Sequence, residues 1–317
     1  MRNQDLIQSD TANAGASRDH PVSGAVAQRK PYQISVQFSG GAASYVAAKL
    51  ILDEHGHDDV ALIFADTLIE DEDLYRFLDE AEQRLQHPVI RISEGRDPWT
   101  VFFDERMMGN SRVDPCSKIL KRKLLDKWRA EHCAIDCTLI IGYDASEDFR
   151  FQPLKARMLP VKVRAPLLEQ GIWKEQVYAI VEADGLRLPC LYKMGFAHNN
   201  CGGFCVKSGQ ASFALLLETM PARYAEHEAK EDQFRKFIGK DVSIMRERRN
   251  GVSKPLTMRA FRERHEREPM LIDRSDVGGC TCMEEPDLAA SDDDRVIVNQ
   301  AQTAPCPIES NLFPEAP

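Results

Sequence analysis

The run Ser39-Gly40-Gly41-Ala42-Ala43-Ser44 sets two glycines between two hydroxyl side chains. Glycines in such a loop let main-chain N–H groups approach anionic oxygens, and a helix starting there adds partial positive charge. An anion such as a phosphate or sulfate is the natural ligand, although a tight strand-to-helix turn needs the same residues. The loop lacks the lysine of G-x-x-x-x-G-K-[ST] and the third glycine of G-x-G-x-x-G. Further along, Phe64-Ala65-Asp66-Thr67 ends in a carboxylate able to accept from a ribose or an amino group, with Glu70 one turn on. The same acids also suit the cap and first turn of the acidic helix that follows. Lys118 and Lys121, in a cluster with Arg122 and Lys123, form a cationic segment on an acidic chain, readable also as a solvated helix face. Gly142-Tyr143 follows a strand and leads to Arg150, whose guanidinium is suited to bidentate phosphate contacts.

A second chemistry is carried by nine cysteines. Cys201 and Cys205 sit four residues apart in the glycine-rich run His198-Asn199-Asn200-Cys201-Gly202-Gly203-Phe204-Cys205, and Cys280-Thr281-Cys282 supplies another close pair. Four thiolates complete a tetrahedral site or bind a cubane, so these four are the expected metal ligands, with Cys190 in reserve. A [4Fe–4S] cluster is the leading reading; zinc and no metal are the alternatives. Cys133 and Cys137 flank the entry to a buried strand and read as core thiols. Cys116 lies beside the cationic cluster, at the edge of the expected nucleotide pocket, and Cys306 lies in the tail. His198 either orients a ligand or is a loop histidine.

These groups need a scaffold. Residues 33–38 form a β-prone run ending at the glycine loop, and residues 42–54 continue in a helical pattern. Residues 59–65, 88–92 and 138–142 read as further strands; residues 70–85 read as an acidic amphipathic helix and 118–132 as one basic helix. This alternation predicts an α/β fold, a parallel twisted sheet with helices on both faces and ligands outside the carboxyl ends of the strands. Beyond Gly185 the pattern becomes irregular and then mainly helical, at 206–219, 221–238 and 256–267. Trp173 reads as the start of another helix whose ring packs on the sheet. The expected organisation is a disordered leader at 1–30, a nucleotide-binding domain at 31–185, a helical cysteine-containing region at 186–283 and a mostly disordered acidic tail at 284–317, where residues 296–298 are able to add a strand.

The chain has 317 residues, 41 Lys+Arg against 50 Asp+Glu, a net charge of −9 and 43% hydrophobic residues. No apolar run reaches the roughly 18 residues that a transmembrane helix needs, and residues 1–24 are too polar for a secretory signal. The expectation is a soluble, cytoplasmic protein with no membrane partner. Its acidity argues against coating a nucleic-acid duplex by bulk charge, with a local basic groove left as the alternative. Arg246, Arg248 and Arg249 with Arg259, Arg262, Arg264 and Arg267 are the one other place able to track a polyanion, if they are not simply a solvated face.

The combination Ser39-Gly40-Gly41-x-x-Ser44, Phe64-Ala65-Asp66-Thr67-x-x-Glu70, Cys116-Ser117-x-x-x-Lys121 and Gly142-Tyr143-x-x-Ser146-Glu147-x-x-Arg150 resembles the PP-loop nucleotide-binding proteins, in their phosphoadenosine phosphosulfate (PAPS) reductase branch. The resemblance implies an adenine nucleotide alpha hydrolase-like fold. It also implies that Ser39, Gly40, Gly41, Ser44 and Gly142 hold phosphate or sulfate while Asp66, Thr67 and Glu70 hold the nucleoside. The leading functional expectation is an enzyme that binds ATP or a related adenine nucleotide and cleaves or transfers at the α-phosphate, releasing pyrophosphate. Lys118, Lys121 and Arg150 would stabilise the leaving group, with Mg²⁺, and an iron–sulfur centre would serve sulfur transfer. The alternatives are a reductase of an adenylyl sulfate, and a nucleotide-binding accessory protein of a nucleic-acid modification or mobile-element defence system, whose acceptor is a nucleic acid or a protein. Two departures stand out. Ala43 replaces the Asp of many ATP-cleaving relatives, and the sequence holds no Glu-Cys-Gly run of the kind that carries the reductase nucleophile.

Overall fold

The structure, a computed structural model, describes residues 30–250, 252–268, 276 and 278. The expected leader up to residue 29, the tail, and the pair Cys280 and Cys282 lie outside the described residues.

The first half alternates strand and helix: β1 (Tyr32–Gln37), α1 (Ala42–His55), β2 (Val60–Asp66), α2 (Glu72–Leu85), β3 (Val89–Ser93) and α3 (Pro98–Glu105). A π-helical segment, Ser117–Lys123, runs directly into α4 (Leu124–His132) and β4 (Cys133–Ile140). Then come α5 (Asp148–Arg157), β5 (Val163–Arg164), α6 (Pro166–Glu169), α7 (Lys174–Ala183) and α8 (Cys190–Lys193). The rest is α9 (Gln210–Thr219), α10 (Pro221–Ile238), the hairpin β6 (Met245–Arg249) and β7 (Val252–Leu256), and α11 (Met258–Arg267).

All five strands of the main sheet are parallel, in the order β3-β2-β1-β4-β5. This confirms the expected α/β class. Helices covering both faces leave no polar side to a central strand, which is why Val60 to Ala65 of β2 are all buried. The chain first builds outward from β1 through β2 to β3, then returns to lay β4 on the other side of β1. The crevice beyond β1 and β4 is therefore the topological switch point, where ligands of open α/β sheets bind. Gly142 lies at that point: a Cβ on it would stand 2.9 Å from both Cα and N of Ser44.

Side-chain periodicity explains α2, whose Leu74, Phe77, Leu78, Ala81 and Leu85 form one buried stripe. Its N-cap is Asp71, which accepts from the Asp73 N–H at 3.0 Å, so the capping role open to Asp66 and Thr67 falls to a later residue. The expected single basic helix from 118 is instead the π-helical segment followed by α4, and buried Arg122 pairs there with Asp114 at 3.0 and 3.2 Å. Trp173 is 55% exposed, not packed on the sheet, because it stands at the N-cap of α7 and its backbone, not its ring, is engaged.

A second core gathers Trp99, Phe102, Phe204, Phe213, Tyr224, Phe234 and Phe261. His227 stacks on Phe204 with ring centroids 3.6 Å apart and accepts from Trp99 Nε1 at 2.9 Å. Four of the seven arginines considered for a polyanion track bond side chains among the described residues. Arg259 pairs with Asp232, Arg262 with Glu228 and Glu266, Arg264 with Glu247, and Arg246 bonds Ser253. No helix among the described residues is long and apolar enough to cross a membrane.

Candidate functional site

The glycine loop is held from three sides. Ser44 Oγ donates to the Gly41 carbonyl at 2.8 Å, and Ser39 Oγ lies 3.3 Å from Ser44 Oγ. Asn199 Nδ2 donates to the Gly40 carbonyl at 2.9 Å. The third contact is the hydroxyl of Tyr192 from α8, which accepts from the Ala42 N–H at 3.3 Å and would lie 2.8 Å from a Cβ on Gly41. Gly40 has φ +76° and faces Leu74 of α2, where a Cβ would approach to 2.9 Å. Both its conformation and its packing thus demand glycine. Asn199 and Tyr192 were not among the residues expected from sequence; nothing in their local spacing marks them, since each meets the loop from more than a hundred residues away.

Asn199 is 2% exposed, and its Oδ1 has no hydrogen-bond partner among the described residues. Such an orphaned acceptor is costly unless a ligand or water satisfies it.

Glu70 is the hub of the next segment. Its side chain is 1% exposed, accepts from Thr67 Oγ1 at 2.8 Å and from the Cys201 N–H, and lies 3.6 Å from Lys121 Nζ. One carboxylate therefore ties the end of β2, the cationic segment and the cysteine loop together. Asp66 Oδ1 accepts from the Leu68 N–H at 2.8 Å and the Tyr75 hydroxyl at 2.9 Å, which orients the carboxylate; Tyr75 is in turn shifted up, by burial first and then by Asp66.

The cationic residues separate. Lys121 turns inward to Glu70, whereas Lys118 is exposed. Arg150 pairs with Glu147 and lies 4.5 Å over the Tyr143 ring. Burial raises the Glu147 carboxyl above its ordinary range, opposed by the Arg150 charge. Glu147 also closes a capping box with Asp144. The stretch after Gly142 is thereby a self-braced turn at the switch point.

Beside this network lies a cleft of about 400 Å³, solvent-open space included, lined by Thr67, Cys116, Lys121, Cys201, Cys205 and Lys207 among others. Cys116 thus joins the Cys201 and Cys205 pair at one cleft. Cys190 does not line it; its thiol donates to Asp71 Oδ1 at 3.3 Å and is pushed up to about 12 by burial and that carboxylate, which disfavours the thiolate a metal needs. The chain returns to the same end of the molecule when Asp276 accepts from the Gln210 and Ala211 N–H groups and Gly278 bridges Ser208. Among the described residues, no three His, Cys, Asp or Glu side chains converge as a metal site. The described donors thus do not by themselves fit a zinc ion or a [4Fe–4S] cluster, and Cys280 and Cys282 lie outside them.

No curated protein matches the chain. One solved structure similar to it is the phosphoadenylyl-sulfate (PAPS) reductase from Candida auris, in a phosphate complex, at 16% identity and a TM-score of 0.39, over 54% of this chain and 81% of that one. The family model described as the phosphoadenosine phosphosulfate reductase domain matches residues 33–148, which run from β1 through the glycine loop, the Asp66 to Glu70 segment and the cationic segment to the turn after Gly142. By that match, residues 33–148 are similar to the PAPS reductase domain family.

Proposed function

We propose that this protein is a sulfonucleotide-binding enzyme of the reductase type, which holds the anionic end of an adenosine phosphosulfate at the glycine loop and presents its sulfur to the cysteine-lined cleft. The observation that carries the reading is the joining of the two places: Asn199 bonds the Gly40 carbonyl while Cys201, two residues on, bonds Glu70 and lines the cleft. Ser39, Gly40, Gly41, Ser44 and Gly142 form the anion cradle, an incoming oxygen replacing the Tyr192 hydroxyl at the Ala42 N–H. Asp66 and Thr67 face the nucleoside, with Glu70 fixing their segment. Lys121 and Lys207 line the cleft that takes the sulfate, and Lys118 and Arg150 sit further out, paired or exposed.

Reduction of sulfate-level sulfur to sulfite takes two electrons. Two thiols supply them when one thiolate attacks the sulfonate sulfur and expels the adenosine phosphate, and a second then displaces sulfite and leaves a disulfide. Cys116, Cys201 and Cys205 place three candidate thiols around one cleft, which compensates for the missing Glu-Cys-Gly run. A dithiol reductant restores them. No step here runs through a metal.

Calorimetric titration with adenosine phosphosulfate, with its 3′-phosphorylated form and with ATP, together with an assay for thiol-dependent sulfite release, tests the reading. Saturable sulfonucleotide binding with sulfite release supports it. Pyrophosphate and AMP formed from ATP, with no sulfite from either sulfonucleotide, would overturn it in favour of α-phosphate cleavage.

A further inference from the structure

Cys133 and Cys137 take no part in the cleft and stand at the opposite end of β4 from Gly142. In the β1–β4 ladder Tyr32 pairs with Cys133, yet Ile34 pairs with Thr138. A two-residue step on β1 thus faces a five-residue step on β4. Two extended residues span about 7 Å and five about 16 Å. The three surplus residues must leave the ladder, an excess well beyond the single extra residue of an ordinary bulge. Ile135 at the tip is fully exposed and Asp136 beside it is exposed.

This excursion changes what the two thiols can do. Residues i and i+4 of a straight strand lie about 13 Å apart, whereas here Cys133 and Thr138 stand beside β1 residues only two apart, which folds Cys137 back toward Cys133 so that each thiol shifts the other's titration. Both cysteines are free thiols. Cys133 is half-buried against Tyr32, Ala61 and Leu125, with Trp128 alongside, and Cys137 is buried. The neighbouring Cys133 thiol first, and then the Arg129 charge, lower Cys137 below the usual thiol range, against burial and Asp136. A thiol with thiolate character and a resolving partner beside it is the arrangement that oxidises selectively.

We propose that Cys133 and Cys137 are a redox dithiol that closes to an intrachain disulfide on reaction with a small hydroperoxide. The Cys137 thiolate attacks the peroxide O–O bond, giving a sulfenic acid and releasing water or an alcohol once the leaving oxygen takes a proton. The Cys133 thiolate then attacks the Cys137 sulfur, expels water and forms the S–S bond. The two thiols lose two electrons, and the peroxide takes them. The site is independent of the sulfonucleotide reading, being remote from the cleft.

The test treats the full chain with hydrogen peroxide at neutral pH, blocks residual thiols with iodoacetamide and maps tryptic peptides. Cleavage after Arg129 and Arg150 leaves both cysteines on peptide 130–150. That peptide is expected 2 Da lighter and unalkylated, and dithiothreitol restores two alkylatable thiols. Cys137 should be consumed at least tenfold faster than Cys190, whose thiol is held protonated. In Cys133→Ser the resolving thiol is gone, and dimedone should trap a sulfenic acid at Cys137. A doubly alkylated 130–150 peptide after peroxide treatment of the wild-type chain, or pairing of either cysteine with a third, overturns the proposal without recourse to any variant.

Discussion

The side-chain amide of Asn199 donates to the main-chain carbonyl of Gly40 across a sequence separation of 159 residues, at 2.9 Å. It fixes the cysteine-rich loop to the glycine loop through one buried bond, and its own Oδ1 stays unpartnered among the described residues. Asn199→Ala strands the Gly40 carbonyl. Loss of a partner to a buried polar group costs about 1–3 kcal/mol, so a drop of that size in unfolding free energy is expected from urea melts, together with weaker sulfonucleotide binding by calorimetry. An unchanged midpoint and unchanged affinity would show that the bond positions nothing.

Glu70 should show the difference between breaking a buried pair and neutralising it. Glu70→Ala removes the acceptor for Thr67 and the Cys201 N–H and takes a buried counter-charge away from Lys121; truncating one partner of a buried pair costs about 3–5 kcal/mol. Glu70→Gln keeps one acceptor oxygen and the shape, and should lose less than half as much. Equal losses in the two variants would mean that packing, not charge, sets the stability there.

At Gly142 the prediction is steric. A methyl group would sit 2.9 Å from the Ser44 backbone, which cannot swing aside as a side chain can. Overpacking of this kind costs about 1–3 kcal/mol, and it displaces the start of α1, where the proposed anion cradle lies. Gly142→Ala is expected to fold with a lowered melting temperature and to bind sulfonucleotide at least tenfold more weakly, as read by calorimetry. Wild-type affinity in this variant would remove Gly142 from the site.

His227 sets an acid-side dependence. Burial first, and then the Lys230 and Arg223 charges, lower it from 6.5 to about 3. The unfolded chain therefore binds a proton at higher pH than the folded one. Stability from this residue is complete above about pH 6.5 and is lost as pH falls toward 3, a span worth roughly 3–5 kcal/mol. His227→Gln, which keeps an acceptor for Trp99 Nε1, should flatten that limb of the curve in denaturant melts between pH 3.5 and 6.5. A slope identical to wild type would show that His227 is protonated in the folded state.

Glu231 acts with the opposite sign. Burial raises its carboxyl from 4.5 to about 7 even though it accepts from the Ile244 and Met258 N–H groups at 3.0 and 2.6 Å. The folded state here retains a proton that the unfolded state has lost, so the contribution is full below about pH 4.5 and declines as pH rises through 7, by roughly 2–3 kcal/mol. Melting temperatures of the wild type should fall, relative to Glu231→Gln, between pH 5 and 8. Parallel profiles over that range would refute the shift.

The sequence by itself determined the strand–loop–helix opening, the parallel sheet and the order of the motifs. Periodicity and turn chemistry are local: β2 reads as an unbroken apolar run because both its faces are covered, and α2 because its apolar residues fall every three or four positions. Pro221 and Ile238 bound α10 as expected, since proline suits a helix start and Gly239 at φ +66° ends it. Local rules did not reveal α3 or the β6–β7 hairpin. Nor did they reveal the π-helical stretch, since its lysines and arginine read as one basic helix until Arg122 found Asp114.

Tertiary structure decided which polar groups meet. Every tie that builds the site, from Asn199 to Gly40, Tyr192 to the Ala42 N–H, Glu70 to Cys201, and Cys116 into the cleft beside Cys205, joins segments tens to more than a hundred residues apart. Spacing along a chain carries no information on such pairs. It is the sheet order, with β4 laid beside β1, and the packing of the second core that bring them within bonding distance. The same holds at β4, where only the ladder register reveals that two cysteines of one strand are folded toward each other.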